Sequence, residues 1–120
     1  MRTFALLIHD HPKLHLDLLV AWPDLVAGTE ILWTWRLTCW PNPGQTVDAL
    51  RISNHPLLYL DHEGPTRSHR GTVRRIASGA AHCSLQERDR IQLELARPTG
   101  QWILVLEEVQ GQETWRVTRV

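Results

Sequence analysis

The chain of 120 residues holds two cysteines, one lysine, one tyrosine and one phenylalanine, and carries no surplus of either charge. Cys39 and Cys83 alone cannot staple a small secreted scaffold, so both thiols are expected as buried small hydrophobes in a reducing, cytoplasmic setting. Thirteen Lys and Arg offset thirteen Asp and Glu, which argues against adhesion to nucleic acid or membrane by bulk charge while leaving room for a local basic patch. The longest apolar run near the N-terminus, residues 4–8, is too short for a signal peptide or a membrane span, so no membrane association is expected. Repeats and any convincing 3.6-residue apolar stripe are missing too; residues 84–90 offer at most a turn of helix. The length allows one domain over residues 1–120.

Period-2 alternation fills the space that helices leave. Residues 4–8 form a continuous apolar run suited to a strand buried on both faces. Leu14, Leu16, Leu18 and Val20 then share one side of a strand, opposite His15, Asp17 and Leu19. Residues 30–40 read as a long strand with Trp33, Trp35 and Leu37 opposed to Leu32, Thr34, Arg36 and Thr38, closed by Pro41-Asn42-Pro43-Gly44. Shorter strands are expected over 50–54, 71–77 and 90–96, and a hairpin over 102–120 turning at Gln110-Gly111-Gln112. Short strands broken by Pro/Gly turns predict an all-β chain, a small antiparallel β-barrel with few or no helices. Six tryptophans are expected to fill its core, with a base-stacking platform as the alternative.

Chemistry concentrates in two segments. In His9-Asp10-His11-Pro12-Lys13-Leu14-His15-Leu16-Asp17, strand geometry points His15 and Asp17 the same way, and His9 ends the preceding run. Two imidazoles and one carboxylate on three corners of a cation leave positions for water and substrate, a set suited to Mn, Fe(II) or Zn. An acid mid-strand runs against β-propensity, which lifts a metal site to equal standing with the alternative of surface or capped histidines and a turn acid. In the second segment, residues 55–64, strand geometry would put Tyr59, Asp61 and Glu63 on one face, with Arg51, Ser53 and His55 sharing a face just before. His55 beside an arginine suits a phosphate oxygen or a leaving group, although the segment by itself reads more readily as a loop with solvated acids and histidines.

Taken together, H-D-x-x-x-L-H-x-D over 9–17 and N-H-P-L-x-Y-x-D-x-E-G-P over 54–65 resemble the 3′-phosphoesterase domain of bacterial DNA ligase D and its stand-alone relatives. The resemblance covers most of residues 4–80. It implies a small β-barrel with a groove, Mn²⁺ held by His9, His15 and Asp17, and His55 contacting or protonating the scissile phosphate with Tyr59 close by. The implied reaction removes 3′-phosphate or 3′-ribonucleotide from DNA ends in end-joining repair, which makes DNA or RNA 3′ ends the expected partners.

Several positions depart from that family pattern. Leu19, Leu7 and Val47 stand where the family carries arginine, glutamine and arginine, and Leu37 or Cys39 stands at its lysine. Leucine in place of a guanidinium removes both a charge and a forked donor. Arg36 and Arg51 are the candidate phosphate-binding replacements, with Arg67 and Arg70 behind them. The alternative is a catalytically impaired module of the same fold that binds metal or nucleic-acid ends. A third possibility, an Fe(II) oxygenase triad of His15, Asp17 and His55, leaves the second motif unexplained.

Overall fold

Alternating residues become nine strands in a computed structural model, which describes residues 2–24, 29–55, 57–66, 70–109 and 113–120. They are β1 (Arg2–His9), β2 (His15–Asp24), β3 (Thr29–Leu37), β4 (Thr46–His55), β5 (Gly64–Pro65), β6 (Thr72–Gln86), β7 (Arg90–Arg97), β8 (Gly100–Glu108) and β9 (Thr114–Arg119). Every pairing is antiparallel, and the neighbours run β1-β2-β3-β4-β9-β8-β7-β6, with β6 returning to β1. Eight strands therefore close into a barrel without a free edge, as the alternation predicts, and the two-residue β5 only brackets the start of β6.

Closure depends on the length of β6. Its first part pairs with β1 from Val73 to Ala81, and its last part with β7 from Ala81 to Gln86. Gly79 lets the wall draw tight, because a Cβ there would lie 2.8 Å from the backbone oxygen of Ala96. The strand expected over 71–77 covers only the first part of β6, and the helical turn expected at 84–90 is not formed: Ser84–Gln86 complete β6 and a bend at 88–89 returns the chain to β7. Likewise β4 runs beyond 50–54 to Thr46–His55, and β3 stops at Leu37 rather than continuing to residue 40. The proposed turn at 110–112 lies outside the described residues, but β8 and β9 do pair as a hairpin would.

Apolar residues pack in two layers. Inside the barrel, Phe4, Leu6, Leu18, Trp35, Leu93, Leu95 and Leu104 are buried together. Ala5, Leu7, Leu19, Ala21, Leu32 and Val73 face outward yet are also buried, because Tyr59 and Leu60 pack over them. Those two residues lie in a 3-10 turn, Leu57–Leu60, which agrees with the loop reading of this segment and not with the strand alternation. Covering an outer leucine floor outweighs the local alternation of Tyr59, Asp61 and Glu63. Arg75 fastens the turn by donating to the Leu60 carbonyl at 3.1 Å, with Asp61 and Glu63 nearby at 3.8 and 3.6 Å. This lid of side chains explains why β1 needs an unbroken apolar run.

Tryptophan is structural here. Trp22 stacks on Trp33 with ring centres 4.3 Å apart, Arg2 and Arg51 lie over their rings, and Trp35 meets Trp115 edge-on at 5.8 Å. All six are buried or half-buried and belong to or pack against the core, as the core-filling reading expects. Trp35→Ala is expected to cost about 3–5 kcal/mol of stability, read from urea denaturation of the two proteins.

Two expectations fail at the surface. Leu14 precedes β2 and is 67% exposed instead of joining the leucine face. Cys39 lies beyond the end of β3 and is exposed, and Cys83 is only half-buried. Burial nonetheless pushes the Cys83 thiol above its usual pKa, with Arg2 opposing in part. In iodoacetamide labelling near pH 8, Cys39 is expected to react about tenfold or more faster than Cys83, counted by peptide mass spectrometry.

Candidate metal centre

His9 ends β1 and His15 begins β2, and the two are direct cross-strand partners. Asp17, two residues further along β2, falls on the same outward face, next to the buried Leu7 and Leu19. The carboxylate is 2% exposed and His15 is 6% exposed. A charge removed from water at this depth requires compensation. Asp17 Oδ2 has His15 Nε2 at 3.3 Å and His9 Nδ1 at 4.0 Å, and Oδ1 accepts from Arg36 Nε at 3.4 Å. Arg36 stands opposite Asp17 in the β2–β3 register, which fixes this contact.

The far nitrogen of each ring decides what the near one can do. His15 Nδ1 lies 2.7 Å from the Lys13 carbonyl oxygen and His9 Nε2 lies 2.6 Å from that of Arg70. A carbonyl accepts only, so both of these nitrogens carry a proton and donate. In the neutral rings the nitrogens facing Asp17 are then bare, and lone pairs confront a carboxylate oxygen. Such an arrangement calls for a positive species between the donors, either a second proton on a ring or a cation. Main-chain anchoring of the non-ligating nitrogen is also the usual device for orienting metal-bound histidine. His9, His15 and Asp17 offer ligand atoms all within 4.8 Å of one another. The donor set, two neutral imidazoles and a carboxylate with an open side, fits Mn, Fe(II) or Zn.

The anchors are themselves tied down. Asp10 is not a ligand: its Oδ1 accepts from Thr72 N at 2.7 Å, and the Arg70 amide donates to Thr66 Oγ1 at 2.8 Å. Gly71 has φ +80°, and a Cβ there would collide with the Asp10 carboxylate and with His11 Cβ. The Arg70 carbonyl is thereby held against His9 from 61 residues away.

His55 joins the centre through a slip in strand register. Thr34 faces Ile52 while Leu32 faces His55, so β4 spends one extra residue over this stretch. That slip turns His55 to the outer face. Its Nδ1 lies 3.2 Å from the Ser53 carbonyl and 3.1 Å from Thr34 Oγ1, whose own hydroxyl donates to the Leu32 carbonyl. Both partners therefore accept from Nδ1–H, and Nε2 points to Asp17 Oδ2 at 4.0 Å. Tyr59 meets the His55 ring edge-on at 5.3 Å. His9, His55, Tyr59, Arg36 and Arg70 line one cleft of about 470 Å³ above the centre.

Arg51 does not reach this cleft, contrary to the face expected to be shared by Arg51, Ser53 and His55. Before the slip it pairs with Trp35 and lies over the rings of Trp33 and Trp35, at 4.0 and 5.2 Å. Burial there pushes its guanidinium below the usual pKa, partly offset by Glu108. Of the other arginines considered, Arg36 and Arg70 line the cleft, and Arg67 lies outside the described residues. Leu7 and Leu19 are sealed beneath the 3-10 turn, where no guanidinium would reach solvent. His11 and His82 are exposed, His62 Nε2 donates to the Pro65 carbonyl oxygen at 3.0 Å, and His69 lies outside the described residues.

Thr34 and the carbonyls of Lys13 and Arg70 escaped the sequence reading. A threonine set among tryptophans on the face of Arg36 was a signal for the first; main-chain anchors leave no mark in a sequence. No family model and no curated protein matches the chain.

Asp17→Asn is expected to weaken Mn²⁺ binding by about 100-fold or more, and loss of the Thr66 anchor in Thr66→Val by about tenfold, in titrations followed by Mn²⁺ EPR. His55→Ala, by contrast, should leave the affinity nearly unchanged.

Proposed function

We propose that the protein is a Mn²⁺-dependent phosphoesterase that removes a 3′-terminal phosphate or ribonucleotide from nucleic-acid ends. The observation that carries this reading is the convergence of His9, His15 and His55 on one buried carboxylate oxygen, each ring with its other nitrogen bound to an acceptor. His9, His15 and Asp17 would hold the metal, and His55 stands beside it without belonging to the same close group of donors. The two motifs resembling DNA ligase D phosphoesterases supply the substrate class.

A divalent cation in that set supplies Lewis-acid neutralisation of phosphoryl oxygens and a more acidic water. The remaining roles fall to the chain. Arg36 holds Asp17 through Nε and carries the rest of its guanidinium into the cleft wall, where a phosphate dianion would meet it. His55 keeps Nδ1–H on the Ser53 carbonyl, which aims Nε2 at the centre. Protonated there, it would donate to the leaving oxygen as negative charge develops. Tyr59 supports the ring from the side.

One observation favours the catalytically impaired module as a second reading: two of the family's polar positions, Leu7 and Leu19, are apolar and buried. The test is hydrolysis of a 3′-phosphorylated primer-template with Mn²⁺. Release of phosphate is expected, and His55→Ala should lower kcat by about 10²–10⁴. Retention of the 3′-phosphorylated end without turnover, by protein that binds Mn²⁺, would instead select the second reading.

A further inference from the structure

The wall next to the metal centre carries a second cleft, of about 750 Å³, that the reaction above leaves without a role. The antiparallel register builds it. Asp17 on β2 faces Arg36 on β3, Arg36 faces Leu50 on β4, and Leu50 faces Thr114 on β9. This is one lateral row across the outside of the barrel. Neighbouring strands lie about 4.8 Å apart, so Leu50 stands about 10 Å from Asp17 along the row. The metal ligand His15 lines this cleft, and Pro12 and Arg36 line both clefts. The two clefts therefore adjoin, with Pro12 and Arg36 between them and His15 on the side of the second.

The composition of the cleft describes its occupant. Leu14 and Leu50 are among the few large apolar side chains left exposed, at 67% and 49%, and both line this cleft. Lys13, Arg36 and Arg116 supply positive charge there, against the single acid Asp48, which Arg116 approaches at 4.0 Å. An apolar floor under a positive rim suits a ligand with a flat apolar body and an anionic group, and the volume is that of a small-molecule site. The first cleft, by comparison, is walled near the centre by histidines and hydroxyl or amide side chains such as Asn54 and Thr66.

We propose that the second cleft is a specificity pocket for the centre, and that it takes the flat ring-bearing ester group of a phosphate ester whose phosphate sits at His9, His15 and Asp17. The inference rests on the phosphoesterase reading for the position of the phosphate. Leu14 and Leu50 contact the ring, and Arg36 bridges the two parts. The ring's source is either the terminal base of a nucleotide or a simple aryl group, and both share this chemistry.

The test is calorimetric titration of Mn²⁺-loaded protein with methylphosphonate, phenylphosphonate and the phosphonate analogue of a nucleoside 3′-phosphate. A ring-bearing ligand is expected to bind at least about tenfold tighter than methylphosphonate, about 1.4 kcal/mol. The tighter of the two ring ligands identifies the source. In Leu50→Asp and Leu14→Asp, both at exposed positions, the ratio of affinities should fall toward one. Equal binding of all three phosphonates overturns the pocket while leaving the phosphate site standing. A ring preference that persists in both variants overturns it equally. Ring preference without hydrolysis of any phosphate ester keeps the pocket and removes the phosphoesterase reading, and binding of no phosphonate removes both.

Discussion

A single carboxylate, sunk among leucines on the outside of a barrel, sets the terms for everything around it. Asp17 is nearly inaccessible to water, so its charge must be met by groups brought from elsewhere. Arg36 meets one oxygen and three imidazoles gather near the other. The rings come from three strands, and each is aimed by an acceptor on a different segment: the Lys13 carbonyl in the β1–β2 connection, the Arg70 carbonyl ahead of β6, and the Ser53 carbonyl in β4. Fixing the far nitrogen fixes the near one, which makes main-chain oxygens as important to the centre as the ligands themselves.

The same outer face explains why leucines stand at positions 7 and 19 beside the centre. In a barrel whose outer wall met water, positions 7 and 19 would be free to carry polar side chains. Here the 3-10 turn brings Tyr59 and Leu60 down on them, and the wall becomes the floor of a second apolar layer. Leucine at both positions is thus a packing solution, and the cations near the centre come from Arg36 and Arg70 at its rim. One turn serves two purposes, since Tyr59 both seals that layer and flanks His55.

The closed barrel was legible because alternation is a local property, and most strands show it within a few residues. The lengths of β4 and β6 were not, since their ends are set by partners: β9 in one case, β1 and β7 in the other. In the centre, the shared face of His15 and Asp17 follows from parity alone, and His9 needed only a hairpin. The relation of Arg51 to His55 did not follow, because parity counts residues and the slip opposite Thr34 adds one. Tyr59 reaches the His55 ring from a 3-10 turn, which the loop reading of this segment allows and strand parity does not. The alternation of residues 59–63 was outweighed by the apolar surface waiting beneath them.

The closing seam between β1 and β6 has a consequence for the order of events during synthesis. His9 is translated some sixty residues ahead of its strand partner Val73 and its carbonyl anchor at residue 70. Contacts of such separation form late and slowly. The nascent hairpin carrying His9 and His15 therefore leaves the ribosome with its imidazoles unaimed, and the geometry around Asp17 is completed only when the barrel shuts.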